Sequence, residues 1–358
     1  LKEIEMSEIS MATLEKPASI PAQPFKDKNF SIYYFKQMLR IRALEERLIK
    51  MMRSGDGYFW IGGPGEEAFS VALGAQVHKG HGVDYDFLHL HYRSNGIALT
   101  MGSPMIDFVR QMKNTANDPF SGGRNFVAHI CKKEWNIVPV TSPIETQFAC
   151  AIGTGIAQRR AHQQNKTKGV TVVVGGDAGT AEGEFASCLI WASRPGFELP
   201  MLIITTNNGY GISTPGSTQH GEKHIADRAK AFGIEAAVVD GNQPEKVWAA
   251  VQTAFDHIRE TSRPYFLEVK VSRLHGHSSS SGAARVTEEV CCIEQFEKKL
   301  VKNKWITESE IEDFKKQAYA EAQAAHEEVK NEAYPDASTA HDHTFAGGAR
   351  GGVPGRDF

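Results

Sequence analysis

Residues 170–214 read VTVVVGGDAGTAEGEFASCLIWASRPGFELPMLIITTNNGYGIST, and the fold is decided here. Two short, unbroken apolar runs, 170–174 and 201–205, lack the alternation of a half-exposed strand and read as strands buried on both faces. Between them lie a Gly-rich turn with one acid (Gly175, Gly176, Asp177, Ala178, Gly179), a helical pattern starting near Thr180, and a Pro195-Gly196 loop. A polar turn, Asn207-Asn208-Gly209-Tyr210, follows the second run. The reading is one strand-helix-strand unit of an α/β fold, a parallel sheet with helices on both faces.

In such a unit the strands run parallel, and both turns lie at their carboxyl ends, where open α/β sheets bind ligands. Asp177 and Asn208 then become neighbours in space. Carboxylate and amide oxygens suit Mg²⁺ or Ca²⁺, hard cations that complete their shell with phosphate oxygens. Amides of the Gly turn and of the helix start add an anion site. The expectation is a diphosphate held through a metal ion.

Working outward, the chain has 358 residues, 41% hydrophobic and 23% charged, with a formal charge of −3. This is the balance of a folded enzyme and gives no electrostatic case for nucleic acid. Five cysteines (Cys131, Cys150, Cys188, Cys291, Cys292) show no metal-site spacing and read as thiols of a reducing compartment. No apolar run has the length of a membrane helix, and a cytoplasmic location is expected. Residues 1–28, with Pro17, Pro21 and Pro24, read as an arm, residues 29–331 as one α/β domain with C-terminal helices, and residues 332–358 as a flexible Gly-rich tail in which His341 and His343 are a weak metal signal.

Within the domain, apolar spacings of three and four predict a helix over 31–52, and Gly65-Glu66-Glu67 leads into another over 68–77. Residues 87–93 predict a strand delivering Tyr92 and Arg93 to its carboxyl end, where a guanidinium fork suits phosphate. Residues 121–129 form a polar loop ending in His129. A short strand over 137–140 is broken by Thr141-Ser142-Pro143, with Ser142 placed to cap a helix over 144–162. Strands over 236–239 and 265–274 flank a helix over 244–259, and the second runs into His277 and Ser278 to Ser281. Thr287-Glu288-Glu289 reads as a helix start in the charged, helical 287–331 stretch.

Between about Tyr58 and Arg285 the motifs GEEA (65–68), HYR (91–93), GRNFVAH (123–129), TSPIETQ (141–147), GDAGTAEGE (176–184), NNGYGISTP (207–215) and RLHGHSSSS (273–281) occur in one order. That order resembles the alpha subunit of the thiamine diphosphate-dependent 2-oxoacid dehydrogenases, nearest the branched-chain type. The resemblance implies thiamine diphosphate and Mg²⁺ as cofactors, with Asp177, Asn208 and the Tyr210 carbonyl as metal ligands. It places Ala178 and Gly179 in the diphosphate turn, Tyr92 and Arg93 on the diphosphate, Ser142 and Ile144 against the rings, and His277 and His129 as proton donors near the reacting carbon. Two departures stand out: Ala178 replaces a glycine, and Thr206 stands where the branched-chain type has an arginine.

The resemblance further implies oxidative decarboxylation of a branched-chain 2-oxoacid with acyl transfer to a lipoyl group of an acyltransferase core. It also implies a beta subunit, in an α₂β₂ heterotetramer, that supplies an activating glutamate. A pyruvate or acetoin dehydrogenase alpha subunit shares most of these motifs. A non-catalytic Mg-nucleotide or structural α/β module is the other alternative, and the absence of a G-x-x-x-x-G-K-[ST] loop weighs against nucleotides.

Overall fold

Helix α1 (Lys28–Ser54) starts where Asp27 accepts the Phe30 N–H at 2.7 Å and ends at Gly55, whose φ of 79° favours glycine. The chain continues through α2 (Glu67–Gln76), β1 (Phe87–His89), α3 (Asn95–Thr100), α4 (Met105–Lys113), α5 (Thr146–Gln163), β2 (Thr171–Gly176), α6 (Gly183–Ala192) and β3 (Met201–Asn207). A two-stranded ribbon, β4 (Tyr210–Gly211) with β5 (Thr214–Pro215), precedes α7 (Ala226–Ala231), β6 (Glu235–Asp240), α8 (Pro244–Thr261), β7 (Tyr265–Lys270), α9 (Cys292–Lys302) and α10 (Glu308–Val329). This computed structural model describes residues 20–164, 168–340 and 342.

Five strands form one parallel sheet in the order β1-β2-β3-β7-β6. Because side chains alternate along a strand, Val172, Val174, Leu202, Ile204, Leu267 and Val269 enter one core, shared with α1, α2 and α8. Val173, Met201, Ile203 and Phe266 enter the other, under α5, α6 and α7. Burial on both faces is why the strand sequences carry no polar alternation. The α/β parallel sheet with helices on both faces is therefore the fold. No described helix is long and apolar enough to cross a membrane, and all five cysteines are free thiols.

Several boundaries differ from expectation. The strand expected over 87–93 stops at His89, because Ser94 closes a turn on His91: its hydroxyl accepts the His91 N–H, and its N–H bonds the His91 carbonyl at 2.9 Å. Residues 137–140 make only isolated bridges, Ile137 touching Leu88 and Lys132. Strand β7 ends at Lys270 rather than Leu274, since its neighbour β3 ends at Asn207. Thr287 to Glu289 does not start a helix: Val286 bonds back to Leu274, Cys291 is extended, and α9 begins at Cys292. The capping box is instead at Thr307 and Glu310, opening α10.

Both chain ends depart from the expected arms as far as they are described. Phe25, half-buried, packs edge-on among Phe30, Tyr34, Trp248 and Phe296, so the segment just before α1 is anchored on the core where an arm was expected. After α10, Glu332 pairs with Arg110, the Ala333 carbonyl accepts the Ala116 N–H at 2.9 Å, and Arg124 donates to the Thr339 carbonyl. The segment through Thr339 is thus laid against the 115–124 loop, where a flexible tail was expected. His341 and His343 lie outside the described residues.

Candidate active site

The site begins with strand register. Gly176 of β2 pairs with Thr206 of β3, so Asp177 and Asn208 leave adjacent strand ends side by side, and both are buried. The two asparagines divide their work. Asn207 is structural, its Nδ2 donating to buried Glu268 at 2.8 Å and its Oδ1 accepting the Gly209 N–H. Asn208 holds the Tyr210 N–H with Oδ1 at 3.1 Å and has a buried Nδ2 with no partner.

After Asp177 the chain makes a 3₁₀ turn over Ala178–Ala181, with the Asp177 carbonyl accepting from the Thr180 N–H and hydroxyl. Helix α6 starts at Gly183, not near Thr180, because Glu182 is extended between them. Ala178 is not at positive φ, so alanine fits the turn as it stands. A side chain at Gly211 would meet the Ala178 methyl at 2.5 Å, which moves the need for glycine across to that position.

Asp177, Ala178 and Gly211 line a cavity of about 410 Å³ with Tyr92, Arg93, Ile144, Gly179, Tyr210 and His277 in its wall, whereas Asn208, buried at the adjacent strand end, is not part of that wall. Arg93 is buried, has an unpartnered Nη1, and lies 3.9 Å through Nε from Glu66. Burial pushes the Glu66 carboxyl up to about 7, against the pull of Arg93 and a hydrogen bond with Thr206. Thr206 therefore faces an acid and brings no second guanidinium. Tyr92 stacks on His91 at 3.7 Å, lies under Arg93, and meets His277 edge-on at 6.0 Å. A carboxylate and a buried guanidinium with a free donor in one cavity wall, with a buried amide at the adjacent strand end, fit a hard cation and a diphosphate.

His277 is carried by segment 271–281, which pairs with the chain at Trp60 and Ile61: Ser279 donates to the Trp60 carbonyl at 2.8 Å, and Ser278 bridges Ile61. Trp60 in turn donates Nε1 to Glu45 at 2.9 Å, and Asn95 donates to the other Glu45 oxygen at 3.2 Å. Burial raises the Glu45 carboxyl to about 7. His277 itself is held down to about 4 by burial and by Arg93 and Arg273. At neutral pH it is an uncharged imidazole with an unpartnered Nδ1.

His129 and Ser142 do not line the cavity; they meet each other. Ser142 Oγ is 2.7 Å from His129 Nε2, and His129 Nδ1 is 3.0 Å from the Val127 carbonyl. A carbonyl only accepts, so Nδ1 carries the proton and Nε2 accepts the Ser142 hydroxyl. Ser142 therefore does not cap α5, whose N-cap is Glu145. Ile144, 49% exposed, stands at the cavity mouth with Tyr210 and Ile212.

Sequence reading missed Glu145, which was absorbed into the helix expected over 144–162. Its φ is 62°, its side chain is buried in the cavity wall, and burial pushes its carboxyl up to about 8. An acid one residue before a helix and next to Pro143-Ile144 was the available signal. Asp118, which gathers the Phe120, Ser121 and Gly123 amides to fix the loop leading to His129, was missed as well.

Sheet topology and an edge cavity of this chemistry define an α/β cofactor-dependent enzyme. A sequence profile of the dehydrogenase E1 component family matches residues 35–338, and the chain belongs to that family. It is 30% identical over 303 residues to the 2-oxoisovalerate dehydrogenase subunit alpha, mitochondrial, of Caenorhabditis elegans, covering 82% of this chain and 68% of that protein. Against the 2-oxoisovalerate dehydrogenase subunit alpha of Bacillus subtilis (strain 168), identity is 31% over 245 residues, 68% of this chain and 71% of the relative. The human mitochondrial subunit of the same name is 29% identical over 276 residues, 76% of this chain and 59% of its own length. The family expected from the ordered motifs is the family found.

Proposed function

We propose that this chain is the alpha subunit of a branched-chain 2-oxoacid dehydrogenase, holding thiamine diphosphate through Mg²⁺ at Asp177, Asn208 and the Tyr210 carbonyl. The observation that carries the reading is the meeting of Asp177 and the free Arg93 donor in one cavity wall, with Asn208 at the adjacent strand end, in a chain whose relatives are named 2-oxoisovalerate dehydrogenase subunit alpha. When bound, the cofactor supplies the electron sink for decarboxylation. The chain's own residues then have separable tasks. Arg93 neutralises diphosphate charge, with Tyr92 packed beneath the guanidinium to hold it in plane. Ile144 offers an apolar support to the rings. His277, uncharged, offers a hydrogen bond or accepts a proton at Nδ1 beside the reacting centre. His129 acts through Ser142, fixing its hydroxyl in one direction.

Ile144, Tyr210 and Ile212 are exposed at the cavity mouth, 49%, 37% and 58%. Apolar exposure at a site that needs dryness supports cover by a beta subunit, in an α₂β₂ assembly that hands the acyl group to a lipoyl-bearing core. The binding test is calorimetry of the chain with thiamine diphosphate and Mg²⁺. Asp177→Ala abolishes metal-dependent affinity, and unchanged affinity refutes the ligand assignment. The substrate test compares 3-methyl-2-oxobutanoate with pyruvate on the chain reconstituted with its beta subunit; a clear preference for pyruvate overturns the branched-chain reading.

A further inference from the structure

Glu145 is a charged residue in a place that ordinary packing does not explain. It is the N-cap of α5 with φ 62° and ψ 7°, a left-handed conformation that side chains other than glycine and asparagine rarely adopt. Yet its carboxyl does not cap its own helix. Instead it crosses to the neighbouring turn, where Oε1 accepts the Gly176 N–H at 3.3 Å, while Gln147 Nε2 approaches Oε2 at 3.4 Å and bonds the Val174 carbonyl at 3.1 Å.

The glycines of that turn record the same contact. A Cβ on Gly179 would stand 1.8 Å from Glu145 Oε1, and a Cβ on Gly175 would stand 2.3 Å from Oε2. Neither glycine is at positive φ, so backbone conformation does not require them. What they make room for is the carboxyl. The left-handed turn at 145 also separates two neighbours: Ile144 goes to the cavity mouth while Glu145 goes beneath the turn that carries Asp177.

We propose that Glu145 is a positioning residue that plugs the floor of the diphosphate turn, fixing Asp177 toward the cation and tying its placement to that of Ile144. The inference rests on the reading of the cavity as a thiamine diphosphate site, and deepens it. Its action is through the Gly176 hydrogen bond and through volume, not through a bond to the metal.

The test uses the full chain with thiamine diphosphate and Mn²⁺, whose binding is followed by electron paramagnetic resonance in place of Mg²⁺. Glu145→Ala weakens Mn²⁺ binding by about tenfold or more, as loss of an outer support does at metal sites. Glu145→Gln, which keeps an acceptor and the volume, stays near wild type. An alanine variant that binds like wild type overturns the proposal, and so does a glutamine variant as weak as the alanine one, since charge would then be what matters. Gly179→Ala approaches the contact from the other side: it expels the carboxyl and weakens Mn²⁺ binding, and adding Glu145→Ala restores the thermal stability that Gly179→Ala removes. Purely additive losses in the double variant overturn the packing argument, and if Glu145→Ala alone does not fold, retained Mn²⁺ affinity in Gly179→Ala does so. Asp177→Ala separates the two levels. If wild type and Asp177→Ala bind Mn²⁺ equally, the cofactor site is misread; if Asp177→Ala loses binding and Glu145→Ala does not, only the role of Glu145 is wrong.

Discussion

Replacing Glu45 with glutamine changes how the stability of this fold depends on pH. Glu45 is 1% exposed, and burial lifts its carboxyl from 4.5 to about 7. A raised acid pKa means that the folded state binds a proton more tightly than the unfolded chain. Stability is therefore full below the unfolded value and falls as pH rises toward the folded one, levelling off above it. At about 1.4 kcal/mol per pH unit, the loss is roughly 1.5 kcal/mol by pH ~5.5 and roughly 3.5 kcal/mol by pH ~8.5. Glutamine carries no such penalty, and the site accepts it. Its oxygen takes the Trp60 N–H, and its amide donates to Asn95 Oδ1, which is buried without a partner in wild type, once the Asn95 amide turns over. Urea unfolding at the two pH values is the assay. Glu45→Gln gains about 2 kcal/mol on wild type between them. A difference that does not change with pH refutes the buried, proton-binding state of Glu45.

His277→Ala keeps thiamine diphosphate and Mg²⁺ binding in calorimetry but lowers acyl transfer to a lipoyl domain by two orders of magnitude or so, and normal turnover would make His277 a bystander. Gly65→Ala puts a methyl 2.2 Å from the Ser272 carbonyl at a φ of 113°, so the melting temperature falls by an amount equivalent to about 2–4 kcal/mol, and a wild-type melt refutes the close approach. Arg93→Gln weakens thiamine diphosphate by about 2 kcal/mol or more in calorimetry while leaving thiamine without phosphate unaffected, since the lost donor is the one proposed to take the diphosphate. Equal weakening of both ligands would place Arg93 elsewhere than on the charge.

The central unit was legible because both of its signals are local. Apolar runs without alternation identify β2 and β3, and parallel register then brings Asp177 beside Asn208 with no further information. Arg93 and His277 were also readable, as charged or titratable groups just past strand runs, although both strands end earlier than the sequence pattern does. What was illegible depends on partners distant in sequence. Nothing near Ser142 announces that its hydroxyl bonds His129 rather than a helix amide. Glu145 looks like a first-turn acid until its left-handed φ sends it under another element. Phe25 lies in a proline-containing polar stretch, and only the aromatic rings of α1, α8 and α9 hold it against the core.

The segment after α10 has a consequence for the order in which the site is completed. Residues 115–124, on the way to His129, are held by Glu332, Ala333 and Thr339, more than two hundred positions later in the chain. During synthesis the sheet and its Asp177–Asn208 edge have all their strands once β7 has emerged, whereas the His129 loop must wait for α10 and the residues beyond it. His277, in the cavity wall, is thus placed with the sheet, and the His129–Ser142 pair outside that wall is placed last. Hydrogen exchange on a chain cut after Asn331 would show this as lost protection at 115–129 with the sheet edge intact.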